Sequence, residues 1–201
     1  MGQAPAAGAR ALGLRQLRRR GGPRVGVAAA RAGAARTVFD RYRRPDLLIS
    51  ALALQGGERI ADLGAGRGYL SMPLAAAVGT RGLIVATDVD ADALGVLRSR
   101  LAGKGGSAPI ETRQVGRDDP GLAAERYELI LLSEVDHLLT DRAAYLRRLR
   151  ANLAPGGRLA ICNRRSSRAA VIDAARAAGL VARDEYDRLP AHFLLFFGGF
   201  P

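Results

Sequence analysis

Asp62-Leu63-Gly64-Ala65-Gly66-Arg67-Gly68 joins an apolar run at 59–63 to a helix-patterned run at 69–78. Three glycines at alternate positions give the backbone access to positive φ and let another molecule approach the main chain closely. A strand, a glycine turn and a helix start in this order form a βα unit. Its turn lets a ligand lie against main-chain amides at the helix N-terminus. A dinucleotide fingerprint, Gly-x-Gly-x-x-Gly, would need glycine where the chain has Tyr69. A phosphate-binding P-loop needs Gly-Lys-Ser/Thr, and the single lysine, Lys104, lies far away. Asp62 would repel a pyrophosphate and attract a cation. The same residues also suit a plain tight turn.

The next unit narrows the choice. Gly82-Leu-Ile-Val-Ala-Thr-Asp88 reads as a buried strand ending in a carboxylate, with Asp90 and Asp92 opening the following helix. An acid at the end of a second strand accepts hydrogen bonds from two ribose hydroxyls. Asp90 is then the N-cap of helix 91–101, and Asp88 the ligand.

These residues resemble a family. Ile60-Ala-Asp-Leu-Gly-Ala-Gly-Arg-Gly-Tyr-Leu-Ser71, Val85-Ala-Thr-Asp-Val-Asp90, Asp118-Asp-Pro-Gly-Leu122 and Tyr145-Leu-Arg-Arg-Leu-Arg-Ala-Asn-Leu-Ala-Pro-Gly-Gly-Arg-Leu159 are similar to the class I S-adenosylmethionine-dependent methyltransferases. The likeness is to the small bacterial members that include the quinone-biosynthesis enzymes, and it extends from about residue 37 onward. It implies S-adenosyl-L-methionine as cofactor, bound by Asp62, Gly64, Ala65, Gly66, Gly68, Tyr69, Asp88, Val89, Asp118, Ser133 and Glu134. The spacing at Asp118 is one residue short of the usual pattern, which makes Asp119 a rival, with Arg117 as loop neighbour. A small organic acceptor would face Ser133-Glu-Val-Asp-His137, where His137 and Asp136 are candidate bases, with Glu134 and His192 behind them. A base matters only for a hydroxyl or protonated amine acceptor. Each also has a plainer reading: cofactor contact for Glu134, a turn cap for Asp136, a satisfied loop histidine for His137.

Two departures from the family bear on the acceptor. Strand four lacks the Asn/Asp-Pro-Pro-Tyr ending that holds a planar nitrogen in nucleobase-amine methyltransferases. Arg164-Arg-Ser-Ser-Arg168 is a very short link where relatives carry a longer substrate-covering insertion. Any lid must come from the leading helix, from the residues before it, or from another chain.

The remaining sequence alternates strands and helices. A leading helix is expected over 38–54, with Pro45 at a break or first turn. Strands follow at 59–63, 83–87, 110–115, 128–132 and 159–163, and helices at 69–78, 91–101, 141–153 and 169–178, with a short turn near 120–124. Asp141 reads as an N-cap, Pro155-Gly156-Gly157 as a helix stop, and Gly179 as a left-handed C-terminal residue. Segments 180–187 and 192–197 read as a closing hairpin, and four of five phenylalanines fall at or after Phe193. The alternation predicts an α/β, Rossmann-like, doubly wound and mostly parallel sheet. The resemblance implies seven strands in the order 3-2-1-4-5-7-6, the last antiparallel.

Composition fits one domain. The 201 residues are 48% hydrophobic, enough for a single core. No apolar run approaches the ~20 residues of a membrane span, so no membrane insertion is expected. One cysteine, Cys162, excludes an internal disulfide and fits a reducing, cytoplasmic compartment; its apolar strand makes it a buried thiol. Two histidines and no Cys-x-x-Cys argue against a metal site.

The net charge of +12 is uneven. Residues 1–36 hold eight arginines and no acid, and read as a disordered basic extension ahead of a domain spanning 37–201. It could touch nucleic acid through charge alone, giving a non-catalytic binding module as the alternative function. It could instead be a targeting presequence or an upstream extension of little consequence. Thirty arginines against one lysine suggest a GC-rich bacterial gene.

Overall fold

The computed structural model describes residues 43–102 and 105–199. The basic segment 1–36 and the start of the expected leading helix lie outside the described residues. Helix α1 spans Pro45–Ala51, with Pro45 at its first position, where the missing N–H costs nothing.

The chain then alternates as expected: β1 Arg59–Leu63, α2 Ser71–Val78, β2 Leu83–Asp88, α3 Ala91–Leu101, β3 Ile110–Gln114, β4 Tyr127–Ser133, α4 Arg142–Ala151, β5 Leu153–Arg164, α5 Arg168–Ala177, β6 Val181–Tyr186 and β7 His192–Gly198. Short 3-10 turns at Asp136–Leu138 and Arg165–Ser167 follow β4 and β5. The sheet has seven strands in the order β3-β2-β1-β4-β5-β7-β6, with β7 antiparallel to both its neighbours. This is the doubly wound Rossmann-like order implied by the resemblance.

The parallel strands are apolar almost throughout because both faces are covered. Alternate residues enter opposite cores. Ala61, Ile130, Leu132, Ile161 and Phe193 join Leu146, Leu149 and Val171 of α4 and α5 on one face. Ile60, Leu129, Leu131, Cys162 and Leu194 join Leu48 and Leu74 of α1 and α2 on the other. Asp90 and Asp141 cap α3 and α4 as expected, accepting from Asp92 and Ala93, and from Ala144.

Two local expectations need correction. The helix after the glycine loop begins at Ser71 rather than residue 69, because Gly68 at φ 78° is not helical. Pro155-Gly156-Gly157 does not merely end α4. It lies inside β5, where the ladder slips between Tyr127 and Leu129: Leu153 pairs with Tyr127 and Arg158 with Leu129. The intervening residues bulge out, which proline and glycine permit.

Candidate active site at the carboxyl ends of the strands

The carboxyl ends of β1, β2 and β4, together with the first residue of the antiparallel β7, meet at one edge of the sheet. In open α/β sheets the ligand crevice lies there, beside the strand at which the order reverses.

The three glycines of the loop all adopt positive φ: 71° at Gly64, 53° at Gly66 and 78° at Gly68. Their surroundings separate their roles. A Cβ on Gly64 would overlap Val135 Cγ2, and one on Gly68 would overlap Leu97 Cδ1. Both positions are therefore closed by packing. A Cβ on Gly66 would meet nothing within 4 Å. Gly66 is the point at which the main chain faces open space.

The amides differ from the expectation. Gly64 and Ala65 N–H both donate to Thr87 O (2.8 and 3.0 Å), Gly68 N–H donates to Ala65 O, and Gly66 N–H donates to Asp88 Oδ2 at 2.7 Å. A loop whose N–H groups are already engaged is no phosphate nest. What it offers a ligand is a smooth backbone surface beside a carboxylate. That suits a nucleoside carrying a positive charge better than one carrying phosphates.

Asp88 is half-buried, and its second oxygen accepts from Asp90 N–H at 2.9 Å. Beside it Val89 is 55% exposed, and across the edge Leu138 is 56% exposed. These are the two most exposed large apolar side chains among the described residues. The open Gly66, the Asp88 carboxylate and the bare Val89 together fit an adenosine group. Asp118 Oδ1 accepts from Thr140 N–H at 3.1 Å, which ties the loop after β3 to the loop after β4. Asp119, its rival, accepts from Gly121 N–H in its own turn. Arg117 donates to Leu138 O at 3.4 Å.

Asp62 is buried at 2% exposure, and Ser71 Oγ donates to its Oδ2 at 2.6 Å. Burial pushes its carboxyl up to about 6, against the Ser71 bond, and the charge of Asp88 adds to the rise. The unfolded chain gives up this proton near 3.8 while the folded chain keeps it to about 6, so stability falls as pH rises between those values and stays lower above them. Asp62→Asn should therefore raise stability at pH 8 by on the order of 1–3 kcal/mol and change little at pH 4. Urea unfolding at the two pH values measures the difference; equal effects at both would show that the carboxylate is not destabilised by burial.

The residues after β4 divide. Glu134 holds a left-handed φ of 60°, a strained conformation for this residue, and its N–H donates to Cys162 O at 2.8 Å. Its carboxylate meets Arg43 at 3.1 Å and His192 Nε2. Burial works to raise its pKa, but the His192 hydrogen bond and the charges of Arg43, His192 and Arg164 outweigh that and hold it below the ordinary value. Ser133, Tyr69, Cys162 and His192 line the small cavity around it. The Cys162 thiol is pushed up to about 12 by burial, with Glu134 adding, so it is no nucleophile.

Asp136 lies outside this group. It is fully buried; Asn163 Nδ2 donates to its Oδ1, and Arg142 Nε stands 3.0 Å from both its Oδ2 and its main-chain O. A carboxylate closed in this way cannot reach an acceptor. Its expected role as a base gives way to one of anchoring the turn that carries His137. His137 itself is exposed, with Nδ1 3.2 Å from Asn163 Nδ2. Sequence reading underrated Arg43 and His192, whose contacts with Glu134 span 91 and 58 residues. The only signal was a histidine at the start of the last strand.

A larger cavity, about 960 Å³, lies at the opposite edge, among Leu52, Arg126, Arg150, Pro155 and Phe197. Arg126 and Arg150 donate to main-chain carbonyls there, far from the glycine loop. No group of three or more potential metal ligands occurs among the described residues.

Comparison with known proteins agrees with this geometry. The family described as "Methyltransferase domain" matches residues 61–159. The ubiquinone/menaquinone biosynthesis C-methyltransferase UbiE of Cellvibrio japonicus is 30% identical over 113 residues, covering 56% of this chain and 45% of that protein. The chain thus spans about half the length of the curated relatives it matches. Among solved structures, a SAM-dependent methyltransferase from Aquifex aeolicus superposes with a TM-score of 0.71 at 18% identity, covering 79% of this chain and 91% of that one. The [4+2]-cyclase SpnF superposes with a TM-score of 0.63 at 15% identity, covering 78% and 80%. One sheet thus hosts different chemistries, and the fold alone does not decide between them.

The sheet is that of the class I S-adenosylmethionine-dependent methyltransferases. Residues 61–159 match the methyltransferase-domain family, and the sequence is similar to the quinone-biosynthesis C-methyltransferases.

Proposed function

We propose that the protein transfers a methyl group from S-adenosylmethionine to a small organic acceptor. The observation that carries this reading is the pairing of Gly66, the one loop glycine facing open space, with the Asp88 carboxylate 2.7 Å from its amide. In this reading Asp88 takes the ribose hydroxyls, Val89 lies against the adenine, and Asp118 accepts from its amino group. Gly64, Ala65, Gly66 and Gly68 shape the backbone surface, and Tyr69, Ser133 and Glu134 flank the methionine end, with Asp62 beneath the loop. When bound, the sulfonium supplies an electrophilic methyl group. The chain has only to align the acceptor within about 3–3.5 Å of it and exclude water. The curated relatives are named C-methyltransferases of quinone biosynthesis, which favours a ring carbon as the methylated atom.

Titration calorimetry tests the reading. S-adenosylmethionine should bind the full chain, and Asp88→Ala should weaken binding by about 1–3 kcal/mol, the scale of hydrogen bonds to a charged group. Unchanged affinity would remove the ribose from β2. No binding to the parent chain would remove methyl transfer altogether.

A further inference from the structure

His192 opens β7 beside Arg164 of β5 and is 5% exposed. Its Nε2 faces the Glu134 carboxylate, while its Nδ1 is buried and has no hydrogen-bond partner among the described residues. Buried polar atoms are almost always paired, so a ring nitrogen with no partner among the described residues, on a residue that lines the cavity, is open to a partner from outside the chain. The tautomer follows from the contact. A carboxylate can only accept, so Nε2 carries a proton, and in the neutral ring Nδ1 presents a bare lone pair. Glu134 is in turn fixed, by Arg43 at 3.1 Å on its other oxygen and by its own backbone bond to Cys162. The charged groups around the Glu134–His192 pair are Arg43 and Arg164, and the remaining wall is Leu48, Tyr69, Leu70, Ser133 and the neutral Cys162 thiol.

We propose that His192, oriented by Glu134, is the general base of the acceptor site, with Nδ1 taking the proton from an O–H or N–H of the acceptor. The assignment rests on the methyltransferase reading above and adds a residue to it. The acceptor's proton passes to Nδ1, giving an imidazolium whose Nε2–H still faces the Glu134 carboxylate. The freed electron pair of the acceptor, on the heteroatom or on a carbon conjugated to it, forms the new bond to the methyl carbon. The carbon–sulfur pair stays on sulfur, leaving a neutral thioether. The imidazolium then returns its proton to water once product leaves. His137 plays no part in this transfer, because its Nδ1 already faces Asn163 and its ring lies in solvent.

Two measurements decide it. The chain has two histidines, so nitrogen NMR of the ¹⁵N-histidine-labelled full chain, assigned with His137→Gln, reads the His192 ring directly. At pH 8 a protonated Nε2 and bare Nδ1 are expected, with the preference lost in Glu134→Gln; a protonated Nδ1 in the parent chain overturns the proposal. In the second, 4-nitrophenol is titrated into the chain saturated with S-adenosylhomocysteine, at a pH where the free phenol is mostly protonated. The parent should bind it as its coloured phenolate, at least fivefold enriched, and folded His192→Gln should bind it as the neutral phenol. Equal ionisation by the variant, or no binding by the parent, overturns the proposal. Failure of the parent to take up S-adenosylhomocysteine would instead strike the proposed function, with the ring tautomer still deciding the state of His192.

Discussion

Asp136→Ala is expected to lower the unfolding free energy by about 3 kcal/mol. Removing one partner of a buried ion pair costs about 3–5 kcal/mol, and Arg142, at 28% side-chain exposure, retains enough water to keep the loss at the low end. Two interactions are disturbed together, and with them the turn. Asn163 loses the acceptor of its Nδ2, Arg142 loses a charge 3.0 Å away, and the turn Asp136–Leu138 loses its anchor on β5. Urea unfolding monitored by circular dichroism measures the change. The result also separates two roles. An anchor, when removed, weakens the fold first and catalysis through it; a base, when removed, abolishes methyl transfer with the unfolding midpoint unmoved. The second pattern would return Asp136 to the catalytic machinery.

Gly68→Ala and Gly66→Ala should differ, although both replace a loop glycine at positive φ. Alanine in the left-handed region costs about 1–2 kcal/mol at either site. At Gly68 the new methyl would also overlap Leu97, a fully buried residue packed with Ala65, Ala86 and Leu94, and overpacking adds about 1–3 kcal/mol. A total loss of about 2–5 kcal/mol follows at Gly68. At Gly66 the methyl points into open space, so stability falls only by the backbone contribution. Cofactor affinity should fall there instead, because the methyl stands on the surface that the ligand needs. Parallel unfolding and calorimetry on both variants check this. Equal destabilisation, with S-adenosylmethionine binding intact in Gly66→Ala, would place the ligand away from the loop.

The sheet was legible in the sequence because its determinants are local. Largely apolar runs that carry Asp62, Asp88 and Ser133 at or next to their ends, each followed by a turn and a helix pattern, leave few arrangements open. The phenylalanine-rich tail marks a strand buried on both faces. The bulge at residues 154–157 was not legible, since Pro155-Gly156-Gly157 stops a helix and kinks a strand equally well. Nor was the environment of the acids after β4. Glu134 and Asp136 stand two residues apart in the same short segment, and nothing in their spacing tells which will be sealed by Asn163 and Arg142 and which will turn toward the cavity. That division depends on the left-handed backbone at Glu134 and on partners as distant as residues 43 and 192. The amides of the glycine loop were misjudged for the same reason: Thr87 and Asp88 reach them from the adjacent strand.

The antiparallel insertion of β7 sets a timetable for assembly. β1, β2 and their crossover helices need only neighbours made within a few dozen residues, so the nucleoside half can form on the emerging polypeptide. β7, which His192 opens, is made after both its neighbours and must slot between β5 and β6 before the opposite wall exists. A nascent chain halted just short of that strand would have the glycine loop and Asp88 in place while Glu134 still lacked its histidine partner.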